Sequence, residues 1–390
     1  MPRMKSTPLK SLIFLVATAA CLATPLLDCE AQESASPATA QIISRAQTFL
    51  STLDETQRGK VVYEFNDSAQ RKRWSNLPTS FVPRGGLRLG DLTKEQRDAA
   101  QAVLAAALSP RGYEKMMQIV EGDEFLKKND RGGGPGGRGP GGPGGPGPSG
   151  PGPAPGGPGA GPGGPPPGGR GGPGGAPMFG HDEYYISFMG QPSATKPWII
   201  QYGGHHLAIN VTLVGEQSTL APSHTGSQPA RYEVEGKTVR PLGRETDKAQ
   251  ALLTSLDETQ RKQAVLGVAM HDLVLGPGRD GQTIQPEGVK GASLTDKQRE
   301  MLLDLAGEWI GILPDATAKA KMEETRKSLA ETWFAWSGPV DQPGAAYFRI
   351  QGPTVLIEYA PQRLGGDPAN HIHTIYRDPT NDYGAKWVKP

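Results

Sequence analysis

Five of the seven histidines in the chain fall in three short segments: His205-His206, His224 and His371-Ile372-His373. Imidazole is the commonest protein ligand for borderline metals, binding through a neutral ring nitrogen. On a strand, side chains alternate between faces, so His371 and His373 share one face and offer two ligands to one ion. Read as the start of a strand, His205 falls on the face of Leu207, Ile209 and Val211, whereas His206 falls on that of Asn210 and Thr212. His206 is therefore the member of that pair expected at a polar site. The set that follows is His371 and His373 with either His206 or His224, and His205 as a neighbour. Zinc or copper suits such imidazoles. An open position would carry water, a hydrolytic nucleophile on zinc, or an O2-reactive site on copper. Taken singly, a histidine is more commonly a buried, hydrogen-bonded ring than a ligand; the pairing gives the metal reading its weight.

Other polar residues flank these segments. Arg377 continues the His371/His373 face, and Asp378, Asn381 and Asp382 enter a turn marked by Pro379 and Gly384. A guanidinium there could hold the carboxylate of a small anionic molecule, or brace the turn against an aspartate. Glu216 follows the 205–214 segment, and Glu358 stands where the repeat described below has Ile209. Arg377, Glu216 and Asp378 are the catalytic candidates. No nucleophile elbow, H-E-x-x-H helix or Walker loop is present.

The elements that must position these residues are announced by a repeat. One hexapeptide occurs four times: LDETQR at 53–58 and 256–261, LTKEQR at 92–97 and LTDKQR at 294–299. Each sets Asp or Thr three residues before Gln, a capping-box helix start. The first and third copies are 203 residues apart, and the second and fourth 202. Residues 185–190 resemble 333–338, and 198–209 line up with 347–358. Helical apolar spacing runs through 93–121 and 295–331. Segments 198–202, 205–214, 345–350 and 353–359 are β-rich, with turns at Gly203-Gly204 and Gly352-Pro353. The expected fold is α+β: two internally duplicated helix-plus-antiparallel-strand units packed as one pseudo-twofold domain. Residues 32–130 form the helical part of the first repeat, 178–242 its strand part, and 243–390 the second repeat.

Between them, residues 131–177 hold 25 Gly and 15 Pro. Such a tract buries no core and reads as a disordered insertion into the first repeat. A collagen frame fails at Pro153. At the N-terminus, Arg3, Lys5 and Lys10 precede an apolar run from Leu12 to Ala23, then a small-residue exit at Cys29 and Ala31. Residues 1–31 read as a signal peptide, so a secreted or periplasmic location is expected; a lipid anchor at Cys21 is the rival reading. Both cysteines lie in that leader, which excludes disulfides, thiolate metal sites and cysteine nucleophiles from the mature chain. The 41 basic and 40 acidic residues nearly cancel and form no basic stripe, against a nucleic-acid partner. No apolar run beyond the leader reaches the length of a membrane span.

With GGHHLAINVTLVG at 203–215 and NHIHTIYRDPTNDYG at 370–384, the chain resembles a family of mostly secreted proteins catalogued as domain of unknown function 3500. The resemblance runs from about Ala40 to Trp387, without the Gly/Pro tract. It implies one exported domain and carries over no reaction and no catalytic residue. Two functions stay in play: a metal-dependent enzyme of unknown substrate, and a non-catalytic exported protein whose His/Arg cleft binds a ligand. A purely architectural role for the histidines is the third.

Overall fold

All four hexapeptides start helices. In the computed structural model, which describes residues 36–129, 178–363 and 366–388, the side chains of Asp54, Thr93, Asp257 and Thr295 accept from the backbone of the glutamine three residues on. Each glutamine reaches back to the cap in turn, completing the box. The chain before the tract forms α1 (Pro37–Ser51), α2 (Glu55–Val61), α3 (Ser68–Arg71), α4 (Lys94–Ala107) and α5 (Pro110–Asn129). Its later helices are α6 (Gly243–Ser255), α7 (Glu258–Ala264), α8 (Asp296–Ile310) and α9 (Asp315–Lys327). The signal-peptide and tract expectations, residues 1–31 and 131–177, lie outside the described residues.

Twelve strands join one mixed sheet. They are β1 (Val62–Tyr63), β2 (Leu87–Arg88), β3 (Tyr185–Met189), β4 (Trp198–Gly203), β5 (Leu207–Val214), β6 (Gln217–Thr219) and β7 (Ser223–Ser227), then β10 (Val289–Lys290), β11 (Trp333–Ser337), β12 (Tyr347–Gln351), β13 (Leu356–Pro361) and β14 (Ile372–Arg377). A separate hairpin pairs β8 (Tyr232–Val234) with β9 (Lys237–Val239). The order is β1-β3-β4-β5-β7-β14-β13-β12-β11-β10, with β2 also on β3 and β6 on β5. Only the β1–β3 pair is parallel among these strands; β7 and β14 run antiparallel at the centre.

The two sheet faces differ in chemistry. One carries Ile186, Phe188, Trp198, Ile200, Ile209, Val211, Phe348, Ile350, Ile357 and Tyr376, and packs with Phe49, Leu104, Leu302 and Trp309 of the helices in one apolar core. Alternation sends the intervening residues to the other face: Ser187, Gln201, Asn210, His224, Arg349, Glu358, His373 and Arg377, all buried. Two connections, 64–86 and 266–288, cover that polar face. Gln70 donates to Ser187 and Gln201, Asn76 contacts His373, and the Val274 and Leu275 amides donate to Glu358. A buried polar group without a partner is costly, and these connections supply the partners through the side chains of Gln70 on α3 and of Asn76 and through the Val274 and Leu275 amides.

Gln201 faces Asn210 across β4 and β5, and Arg349 faces Glu358 across β12 and β13. Ile209 lies on the helix face of the sheet, whereas Glu358 lies on the polar one.

Candidate metal centre

The His205-His206 pair sits in the turn from β4 to β5, not within the strand. Gly203 leaves no room for a side chain, since a Cβ would stand 2.4 Å from the Leu207 carbonyl oxygen. Gly204 N closes the turn onto that same oxygen at 2.9 Å. His206 adopts φ 59°, in the left-handed region uncommon for residues with a Cβ. The strand-face argument therefore fails here. Both rings reach the polar cluster, with centroids 3.6 Å apart, because a turn does not alternate as a strand does. The His206 backbone is held by Asn76 O, which accepts its N–H at 3.3 Å, and by Gly226 N, which donates to its carbonyl at 2.7 Å.

His371 ends the short turn before β14, and His373 lies within the strand. The Nε2 of His206 is 2.9 Å from that of His371, which is 3.2 Å from that of His373. Each of these rings is at most 6% exposed. Burial, and then the neighbouring imidazoles, push His206 and His224 well below the usual histidine range. Burial also lowers His373, against the pull of Asp272. In all three, burial favours the neutral ring.

A neutral ring nitrogen carries either one hydrogen or one in-plane lone pair. The His371 Nε2 therefore cannot serve both neighbours at full strength. A cation among the three nitrogens satisfies all of them, and the spacing fits: tetrahedral ligands at zinc–nitrogen bond length stand about 3.3 Å apart. On the far side of His373, Nδ1 is 3.2 Å from the Asn76 amide and 3.7 Å from Asp272 Oδ1. Asn76 Nδ2 is the atom that faces Nδ1 here; the amide in its reversed orientation would accept from Nδ1–H, beside the Asp272 carboxylate, and leave the Nε2 lone pair facing inward.

His205 has a different partner. Its Nδ1 is 2.5 Å from Asp123 Oδ1 on α5, and Tyr184 donates to its carbonyl at 2.9 Å. Two buried groups here could hold a metal ion: His206, His371 and His373, and Asp123, His205 and His206. His224, fully buried on β7, has no hydrogen-bond partner at either ring nitrogen among the described residues. The outlying His181 and His271 are exposed.

The catalytic candidates lie elsewhere. Arg377 stands at the opposite end of β14 from His371. Its guanidinium donates to the Leu275 and Gly276 carbonyls, to Asp280 at 2.9 Å and to Asp382 at 2.7 Å. It braces the 275–280 connection to the turn after β14, away from the imidazoles. Asp378 accepts from Lys321 at 2.5 Å and caps the turn at Thr380. Glu216 lies at the far end of β5 from His206 and accepts from Ser36 N at 2.5 Å. Arg377 and Asp378 are buried and tied to turns, and the exposed Glu216 holds the start of α1, which sequence proximity to the histidines did not reveal.

Asp123, Asn76, Asp272 and Gly226 escaped the sequence reading. Asp123 carried a signal: it follows Met116, Ile119 and Val120 at helical spacing, so a carboxylate was bound for a buried face. Asn76 and Asp272 sit in irregular segments where no periodicity points to them.

Among the described residues, no helix is long and apolar enough to cross a membrane. No curated protein and no solved structure matches the chain. The chain belongs to the family described as Protein of unknown function (DUF3500), which it matches over residues 35–385.

Proposed function

We propose that this is an exported metalloprotein whose centre is formed by His206, His371 and His373, with zinc or copper as the ion. The convergence of their three Nε2 atoms, at 2.9 and 3.2 Å, carries this reading. Three imidazoles leave a further coordination position, and an ion there activates water or binds a substrate atom. That makes a metal-dependent enzyme the leading function. Burial of all three rings favours the second reading, a non-catalytic centre that binds its ion or ligand without turnover. The basic, apolar leader at residues 1–31 supports export.

The reading includes a duplication. Residues 32–130 with 178–242, and residues 243–390, are two copies related by a pseudo-twofold axis through the central β7–β14 pair. The hexapeptide spacing, the strand order that runs alike outward from that pair, and the matched Gln201/Asn210 and Arg349/Glu358 registers support it. The copies diverge at the β4–β5 and β12–β13 turns: Gly-Gly-His-His in one, Gly-Pro-Thr in the other.

Elemental analysis of the purified full chain tests the centre. About one equivalent of zinc or copper is expected, as three converging ligands define one site. His371→Ala and His373→Ala should each lose it, while His181→Ala and His271→Ala keep it. A wild-type chain that stays metal-free after incubation with both ions sinks the proposal.

A further inference from the structure

Between the 64–86 connection and β4 lies a small chamber of about 10 Å3. Arg73, Trp74, Arg84, Gly85, Gln201 and Gly203 are among the residues that line it. Two of these are arginines, and no aspartate or glutamate lines the chamber. Its volume admits one water-sized species. Phosphate, sulfate and carboxylate ligands are too large.

Among the described residues, Arg84 meets only backbone carbonyls. Its terminal nitrogens donate to Val82 O, to Ser75 O at 2.8 Å, to Leu77 O at 2.6 Å and to Gly204 O at 2.9 Å. Its Nε is buried and has no acceptor. Arg73, itself exposed, makes no side-chain hydrogen bond or ion pair among the described residues. The other buried arginines of the polar face meet acids: Arg377 has Asp280 and Asp382, and Arg349 has Glu287. Burial pulls Arg84 down to about 10, which leaves it charged at pH 7. Carbonyl dipoles ease a buried cation without cancelling its charge, and an uncancelled buried charge is costly.

We infer that this chamber is a halide site, in which one chloride accepts from Arg84 Nε–H and neutralises the two arginines. The site goes beyond the metal reading and does not depend on it. A water would satisfy Nε–H as well, but it would leave both charges standing. The same Arg84 guanidinium ties Ser75 and Leu77 to Gly204, one residue ahead of His205-His206. Occupancy therefore steadies the turn that carries His206.

The test exchanges the anion. Melting of the full chain is followed as sodium chloride replaces sodium gluconate, an anion too large for the chamber, at constant ionic strength. The melting temperature should rise with chloride, because a ligand of the folded state stabilises it. Arg84→Gln should abolish that rise. Arg73→Gln should weaken chloride binding about twofold to fivefold, the worth of one exposed ion pair. In crystals grown with bromide, one anomalous peak should stand within hydrogen-bond reach of Arg84 Nε. Melting indifferent to chloride, a rise that survives Arg84→Gln, or a water in the place of bromide overturns the inference. If Arg84→Gln does not fold, the bromide peak and Arg73→Gln decide. None of these readouts involves the metal, so the histidine centre stands or falls separately.

Discussion

Asp123 and His205 meet in the protein interior, carboxylate oxygen to Nδ1 at 2.5 Å. The aspartate belongs to α5, and the histidine to the turn between β4 and β5. Asp123 Oδ2 also accepts from Gly180 N at 3.3 Å, ahead of β3. This pair therefore fixes the turn that carries His206. Asn at 123 keeps the size and loses the charge. Asp123→Asn should cost about 1–3 kcal/mol, the range for a buried bond to a charged group. Urea denaturation measures it, and an unchanged midpoint and slope would show that the contact orders nothing.

Gly226→Ala probes the packing beside His206. The added methyl would press on Ile372 O at 2.7 Å, which is backbone in a paired strand and moves little, and on two imidazoles at 3.2 Å. Overpacking of this kind costs about 1–3 kcal/mol. Metal affinity should fall with stability, since His206 is displaced from its place. A variant with lower stability and full affinity would locate the ion away from Gly226.

How far the sequence reached differs between fold and site. The capping boxes and the paired β-rich segments were legible, because hydrophobic period and cap chemistry are local. The converging rings of His371 and His373 were half-legible: His-x-His on a strand fixes a shared face. The strand-face reading picks His206 to join them, but its actual placement depends on Gly203, Gly204 and a left-handed φ, and reading 205–213 as unbroken strand hid that His205 reaches the cluster as well. Arg377 shares the face of His373, and the three intervening residues of β14 carry it into a different polar cluster. Facing direction was local information; distance along the strand had to be weighed with it. Asn76 and Asp272 come from segments that lack any period, and only the tertiary fold brings them to Nδ1 of His373.

Within each half, the glutamines of the two hexapeptides bind each other. Gln260 Nε2 donates to Gln298 Oε1 at 3.0 Å, and Gln298 Nε2 returns the bond at 2.8 Å while also reaching Ser255 O at 2.8 Å. Gln57 and Gln96 repeat the arrangement. Replacing Gln298 by Leu strands its partner and should cost about 1–3 kcal/mol. The double variant Gln260→Leu/Gln298→Leu should cost less than the two single variants summed, because it removes both ends of the bond. Strict additivity in thermal melts would show that the glutamines act only as helix caps.

The tract supplies a prediction of its own. Deleting residues 131–177 and joining the ends through a short linker should leave the melting temperature nearly unchanged, since the segment has almost no core-forming side chains. Loss of a cooperative transition would mean that the tract packs on the domain.

Glu358 gives a pH signature separate from the histidines. Burial pushes its carboxyl up to about 7, against the opposing pull of the Val274 and Leu275 amides and of Arg349 and Arg377. The unfolded chain releases this proton near 4.5, the ordinary glutamate value. Between those pH values the native state holds a proton that the unfolded state has lost. The resulting stability is fully present below the unfolded pKa and is lost as pH rises through about 7. The change is about 3 kcal/mol at most, from the spacing of the two values. Glu358→Gln cannot ionise. It should be the less stable protein in acid, where its amide accepts only one of the two backbone bonds that the carboxyl takes. Its deficit should then shrink as pH rises through neutrality. Urea titrations of both proteins across that window read the difference, and a gap that stays constant with pH would mean that Glu358 is already ionised in acid and is held there by its two amide donors.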